Sequence, residues 1–414
     1  MIFFLLKKLK EQEDKADLIL GLLLFRFFDL KMGEDNLKRL TNGISSSKLK
    51  KLIGTYKKSF ENYDLDYSII MEKMVKKIPE EEFKAILNEV INIKTSEELK
   101  DVVETVEDKR FPLTRRNLNF KKVEGFLGKI LGLASKNRTV YFPFERSGNL
   151  PAVLKDEDSK IYVEVFHKNY YLRVVLNVLL SGKKSVAIRC SNPLLNPSFV
   201  EKQKLKKFGL VLSNLSEYDR AKYFIESPHK KFGEAPDVHR SRPVFMYLNY
   251  IIEAIEDDGI GGVILPLGAL SRGGRDVLFR KEIVEKKIVD TVIEIPPEWI
   301  KNTFAKYSII ILNKNKKTDD ILFVRLDEKI KTNFEEIYKN RKTVKGISSV
   351  VKLSSITGPQ SQYSLLPERY IEDRHYTRSL DEIAEEIAET KAKLFELDKQ
   401  ISKGIEGVKS RRYY

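Results

Sequence analysis

Asp258–Lys314 reads DGIGGVILPLGALSRGGRDVLFRKEIVEKKIVDTVIEIPPEWIKNTFAKYSIIILNK. Three runs in it are β-branched and apolar: Gly262-Val-Ile-Leu265, Ile288-Val-Asp-Thr-Val-Ile293 and Ser308-Ile-Ile-Ile-Leu312. Glycines and prolines punctuate the intervals, which is strand grammar. Similar runs occur upstream at Thr139–Phe142, Ile161–Phe166, Ser185–Ile188 and Tyr223–Ile225, and downstream at Ile321–Val324. Leu172–Leu180 and Val244–Ile255 carry helical patterns between them. Strands spaced by helical stretches predict βαβ units around a largely parallel sheet. Such sheets bind ligands beyond the carboxyl ends of their strands. Chemistry is therefore expected in the loops after Phe142, Phe166 and Ile225.

The flanks are helical. Ala16–Asp29 is apolar nearly all round, which predicts a buried helix. Pro79 opens a second helix, with Glu80–Glu82 in its first turn and Phe83, Ile86, Leu87 and Val90 at helical spacing. Ser96 continues in the same style. Near the other end, Leu380, Ile383, Ile387, Thr390, Leu394, Leu397 and Ile401 alternate three and four apart, a heptad seam. Ser379 with Glu382 forms a capping box at its start, and Gly404 stops it. Packing of this helix within the chain and pairing with a partner are both open. The expected division is a helical domain at 1–136, a Rossmann-like α/β domain at 137–327 and a C-terminal helical extension at 328–414.

The 414 residues carry 75 Lys plus Arg against 60 Asp plus Glu, a net charge of +15. That excess favours a polyanionic partner, double-stranded DNA above all. A surface with 33% charged residues and many lysines also fits a thermophile. One cysteine, Cys190, excludes a disulfide scaffold and multi-cysteine metal sites, and it reads as a buried apolar residue. Four histidines lack metal-ligand spacing, so no metal site is expected. No apolar run reaches the roughly 18 residues of a membrane span, and the opening Met-Ile-Phe-Phe-Leu-Leu is too short for a signal peptide. The expected location is cytoplasmic.

Over Asp258–Lys314 the chain resembles the adenine-N6 DNA methyltransferases that serve as modification subunits of type I restriction–modification systems. Gly261-Gly262, Leu265-Pro266, Gly268, Leu270, Arg272-Gly-Gly274, Arg280, Pro296-Pro297, Thr303 and Ser308–Lys314 keep that family's order and spacing. The helical N-terminal part and Tyr363-Ser-Leu-Leu-Pro-Glu-Arg-Tyr370 also resemble it. The resemblance implies a class I methyltransferase domain, S-adenosylmethionine as cofactor and a specificity-type subunit as partner.

The family's cofactor loop, D-P-(A/F)-C-G-S-G-G, aligns with Phe142-Pro143-Phe144-Glu145-Arg146-Ser147-Gly148-Asn149. Pro143, Phe144, Ser147 and Gly148 match, whereas Phe142 stands for the acid and Arg146 for the first glycine. At the end of the second strand the ribose-binding acid falls on Val165, with Glu164 one residue early and turned to the other face. The catalytic (D/N/S)-P-P-(Y/F/W), which grips a flipped adenine, aligns with Ser227-Pro228-His229-Lys230. Only its first two positions are kept. Pro296-Pro297-Glu-Trp299 reads as scaffold. The resemblance thus implies a pseudoenzyme in which the cofactor is not bound. Arg146, Lys230, Lys231, Arg240, Arg242, Arg272 and Arg275 turn its cleft towards phosphate. The chain would then act on DNA as an architectural or complex subunit. Two alternatives stay open: an active methyltransferase with an atypical Ser-Pro-His-Lys motif, and an assembly subunit that binds or self-associates through the 380–401 helix.

Overall fold

Helix α1 (Glu13–Met32) is apolar on every side because it is enclosed on every side. Leu18 to Phe28 are buried apart from no residue of the run. The computed structural model describes residues 13–75, 79–110, 118–132, 139–154, 159–216, 243–274, 276–300, 303–327, 333–358, 361–372, 387–399 and 401. Around α1 stand α2 (Ser46–Ser59), α3 (Tyr67–Met74), α4 (Glu80–Ile91) and α5 (Ser96–Arg110), while α6 (Lys121–Gly132) lies on the sheet that follows. Helix α4 starts after Pro79 and buries Phe83, Ile86, Leu87 and Val90, as its spacing predicts. Buried polar contacts lock the bundle: Asp29 accepts from Tyr56 Oη at 2.9 Å and from the Leu37 N–H at 2.9 Å.

A ten-stranded sheet follows. Its strands are β1 (Tyr63–Leu65), β2 (Val140–Glu145), β3 (Ile161–Val165), β4 (Val186–Cys190), β7 (Phe208–Asn214), β8 (Ile255–Pro266), β9 (Val289–Glu294), β10 (Tyr307–Asn313), β11 (Asp320–Arg325) and β12 (Ser348–Lys352). A small hairpin, β5 (Val200–Glu201) and β6 (Lys204–Leu205), stands apart. The sheet order is β1-β4-β3-β2-β7-β8-β10-β9-β11-β12. From β2 the chain winds outward through β3 to β4, then returns to lay β7 on the other side of β2. That reversal makes the β2/β7 junction the topological switch point. Strand β10 is antiparallel to β8 and β9, and β12 to β11; the other pairings in this sheet are parallel.

The pleat sends alternate residues to two cores. Val140, Phe142, Val163 and Val165 join the core built with the N-terminal helices and α8 (Tyr171–Leu180). Tyr141, Phe144, Phe208 and Val211 join the core built with α9 (Pro243–Ala254) and α10 (Asp276–Glu285). The N-terminal helices thus share a core with the sheet, and β1 extends the sheet beside β4.

Most expected strands lie where the apolar runs place them. Strand β7 is the exception. No helix among the described residues precedes it after β4; only the hairpin does, so the βαβ spacing fails there. The expected strand at Tyr223–Ile225 lies outside the described residues. The strand that lies beside β2 is Phe208–Asn214, a run the sequence reading did not mark as a strand.

Residues Met1–Ile371 form one compact unit and Glu372–Tyr414 a second. In the second, 387–399 is helical, and the seam residues Ile387, Leu394, Leu397 and Ile401 are all exposed. Leu380, Ile383 and the Ser379–Glu382 capping box lie outside the described residues. Among the described residues, no helix is long and apolar enough to cross a membrane.

Gly262 shows how tightly α6 sits on the sheet. A Cβ there would stand 2.6 Å from Leu131 Cδ1, 2.7 Å from Leu127 Cδ1 and 2.9 Å from Leu212 Cδ2. Gly262→Ala overpacks that contact and is expected to destabilise the chain by about 1–3 kcal/mol. A urea denaturation midpoint unchanged from wild type would contradict this packing.

Candidate functional site

Strand β2 does not run straight to its end. Phe142 pairs with Val163 and Glu145 with Val165, so one extra residue is inserted between them, a β-bulge. Pro143 cannot donate a ladder hydrogen bond, and its carbonyl accepts from Ser213 Oγ at 2.9 Å. Phe144 takes φ +61°, a left-handed conformation that costs a residue with a side chain. Its ring is buried edge-on to Tyr247 at 4.8 Å and Tyr250 at 5.4 Å between centroids. Burying the ring offsets the backbone strain.

The bulge aims Glu145 back over its own turn. One carboxylate oxygen, Oε1, accepts the backbone N–H groups of Arg146 at 3.0 Å, Ser147 at 2.9 Å and Gly148 at 2.9 Å, with Ser147 Oγ at 3.1 Å. This is an anion-binding nest occupied by the chain's own anion. Helix α7 (Asn149–Val153) starts directly behind it. Gly148 has φ +76°, and a Cβ there would meet Asn177 Cβ and the Val174 carbonyl oxygen, both at 2.9 Å. Asn177 Nδ2 also donates to the Ser147 carbonyl at 2.8 Å, so the turn is clamped onto α8. Gly148 therefore serves packing against protein. Arg146 lays its guanidinium 4.8 Å from the centre of the Tyr170 ring and donates from Nη2 to Tyr170 Oη at 2.8 Å.

At the end of β3, Glu164 is completely buried on the α9 face, opposite in direction to Val163 and Val165. Its Oε2 accepts from Tyr141 Oη, which also contacts Tyr250 Oη at 3.0 Å. Its Oε1 accepts from Ser191 Oγ and from the Ser198 N–H at 2.7 Å. Burial raises its pKa against these hydrogen bonds. Both oxygens are thus held by protein donors. Cys190, next to this network, is half-buried, and burial pushes its thiol up to about 12, which keeps it protonated and unreactive.

Strand β7 ends at Asn214 beside β2, followed in sequence by Leu215-Ser216-Glu217. Asn214 Oδ1 accepts the Ser216 N–H at 3.1 Å, and its Nδ2 donates to Glu124 Oε1 of α6 at 2.9 Å. Glu124 is 3% exposed, and its Oε2 is buried without a hydrogen-bond partner. Burial and then the charge of Glu145 push Glu124 up to about 7, against hydrogen bonds from Asn214 and Asn149.

Of the residues picked from sequence, the structure brings Pro143, Phe144, Arg146, Ser147, Gly148 and Glu164 to the carboxyl ends of β2 and β3. Arg272 stands in the loop after β8, its Nε 3.6 Å from Asp276 Oδ2. Ser227, Pro228, His229, Lys230, Lys231, Arg240, Arg242 and Arg275 lie outside the described residues. Sequence reasoning passed over Glu124, Glu145 and Asn214. A strand-end Asn after Phe208-Gly-Leu-Val-Leu-Ser was the one local signal available; Glu124 had none. Pro297–Trp299 is scaffold, with Trp299 buried edge-on to Phe126 of α6 at 5.6 Å.

Glu124 gives the site a pH signature. Unfolded, it releases its proton near 4.5; folded, near 7. Between these values the folded chain holds a proton that the unfolded chain has lost, so stability falls as pH rises through that window. The full fall from this group is about 3 kcal/mol. Glu124→Gln keeps an acceptor for Asn214 and is expected to remove most of the difference in urea stability between about pH 5 and pH 8. An undiminished difference would sink the assignment.

The family described as N-6 DNA Methylase matches residues 153–378, more than half of the chain. The methylase subunit of the type I restriction enzyme MjaVII of Methanocaldococcus jannaschii is 32% identical over 149 residues, 30% of this chain and 26% of that protein. The match thus spans about a quarter of the length of that curated relative. The fold is similar to the type I restriction–modification methyltransferase subunit of Streptococcus thermophilus, with TM-score 0.64 and 16% identity over 89% of this chain and 97% of that one. A modification subunit of a putative type I restriction enzyme from Vibrio vulnificus YJ016 gives TM-score 0.54 and 15% identity over 76% of this chain and 72% of that one. With the switch-point sheet and the 258–314 pattern, the family match over more than half of the chain leads to one conclusion: the chain belongs to the N-6 DNA methylase family.

Proposed function

We propose that this chain is a modification-subunit relative whose methyl-transfer cleft is closed by its own side chains, and that it acts on DNA as an architectural or complex subunit. The observation that carries this reading is the Glu145 carboxylate seated on the N–H groups of Arg146, Ser147 and Gly148. Those are the donors a cofactor loop would offer to its ligand. Phe144 fills the adjacent space with a buried ring, and Glu164 has both oxygens engaged. These residues do not fit S-adenosylmethionine, and no methyl-transfer step is assigned to them.

The acceptor side supports the same reading. Asn214-Leu215-Ser216-Glu217 keeps a side-chain acceptor at the strand end but has neither the paired prolines nor the aromatic ring that would stack on a flipped base. Ser227-Pro228-His229-Lys230 lies thirteen residues further along the sequence. We assign Lys230 and Lys231, with Arg146, Arg240, Arg242, Arg272 and Arg275, to phosphate contacts. The +15 charge supports a DNA partner, and a cytoplasmic location is part of this proposal. The exposed apolar seam of the 387–399 helix supports docking of a specificity-type subunit or a second copy.

Asn214 favours one competing reading, an active adenine-N6 methyltransferase, because its amide is the acceptor such chemistry uses. Calorimetry separates the two. The closed cleft is expected to give no saturable heat with S-adenosylmethionine. A Kd tighter than about 100 μM, roughly −5.5 kcal/mol, or methyl label incorporated into adenine, would restore the enzyme.

A further inference from the structure

Charge is segregated among the N-terminal helices. Helix α4 carries Glu80, Glu81 and Glu82 in its first turn, and α5 carries Glu97 and Glu98. Both obey the macrodipole rule that favours anions at a helix N-terminus. Helix α2, SSKLKKLIGTYKKS, breaks it. It holds five lysines and no acid, and Lys48, Lys50 and Lys51 fall in its opening turns. The acid-free stretch is longer than the helix, running from Asn36 to Phe60.

The lysines are placed, not scattered. Leu49, Leu52, Ile53 and Tyr56 are buried, which turns Lys50, Lys51, Lys57 and Lys58 to solvent. Lys50 and Lys57 are seven residues apart, as are Lys51 and Lys58, so each pair repeats on one stripe after two turns. Gly54 lies between the pairs, and a Cβ there would meet nothing within 4 Å, leaving the middle of the face low. Exposed Arg39 comes from the 3-10 turn Asn36–Leu40, within electrostatic reach of Tyr56 on the same helix. Among the described residues, none of these five cations forms an ion pair. Lys48 is different: it is spent on the carbonyls of Asn42 and Gly43, both at 3.0 Å.

Lys50 and Lys51 near its start oppose the helix dipole, whereas Lys57 and Lys58 in the last turn suit it; the like charges on the face repel one another, and the helix holds no acid to pair with them. Lys50 to Lys58 spans about 12 Å of helix. One strand of duplex DNA presents three or four phosphates over that length, at about 3.4 Å of axis each. We infer that the exposed face of α2 docks on the phosphate backbone of nucleic acid. This rests on the DNA reading above but uses a different surface, on the helix before β1, three strand positions from β2.

The test is fluorescence anisotropy with a labelled duplex of about 20 base pairs, titrated between about 50 and 200 mM salt. The variant is Lys50→Gln, Lys51→Gln, Lys57→Gln and Lys58→Gln together. A control removes four exposed lysines elsewhere: Lys202→Gln, Lys204→Gln, Lys345→Gln and Lys352→Gln. The α2 variant is expected to bind about 10- to 100-fold more weakly at the low-salt end, with a salt slope shallower by about three to four. The control should keep most of the wild-type slope. Wild-type binding with equal slopes in both variants removes the α2 surface and leaves the DNA reading standing. No duplex binding by the wild type removes both. Binding of polyglutamate as tight as duplex, lost in the same variant, would assign the face to an acidic protein instead and overturn the proposal. All substitutions are on exposed side chains, and an unchanged thermal melt confirms that each variant is folded.

Discussion

One oxygen of Glu145 holds the end of the central strand. Four donors converge on it, three of them backbone N–H groups of the turn into α7. Without an acceptor, the buried Gly148 N–H would carry a desolvation penalty of about 1–3 kcal/mol, and the half-buried N–H groups of Arg146 and Ser147 part of one. The chain meets this demand internally because the bulge at Pro143–Phe144 rotates Glu145 onto the turn. Strand β2 has all six residues buried and sits where the sheet reverses direction, so its geometry is inherited by both neighbours. A ligand anion and the Glu145 carboxylate cannot both occupy this nest.

The surrounding charges answer to the same constraint. Glu124 reaches in from α6 and faces the negative Glu145, and its raised pKa records that proximity together with its burial. Asn214 connects Glu124 to the end of β7, so a helix of the N-terminal region is tied to one of the two strands at the switch point. Glu164 answers differently: two hydroxyls and an N–H oppose the effect of its burial without cancelling it. At Glu145 and Glu164 the carboxylates at the edge of the sheet are satisfied by protein donors, while Glu124 keeps one buried oxygen without a hydrogen-bond partner.

Much of the architecture is legible from local periodicity. The buried α1, the Pro79 helix start and the apolar strands of the 258–314 stretch all follow from side-chain spacing, because burial on one face or on all faces leaves a periodic trace. The site was legible only in part. Phe142, Arg146 and Gly148 stand out against the family's loop, whereas the acceptor motif expected at Ser227–Lys230 lies outside the described residues. Asn214 carries no local mark of its place in the sheet, and only the pairing of β7 with β2 puts it at a strand end beside the switch point.

The sequence by itself determined the family, the doubly wound sheet and the excess of positive charge, since composition and spacing are properties of the chain alone. Tertiary structure decided what occupies the switch point. Glu124, Glu145 and Asn214 lie on three elements separated by 21 to 90 residues, and no local pattern couples them. Their meeting depends on strand order and on the one-residue bulge in β2. Those are set by how the whole sheet packs between its two layers of helices.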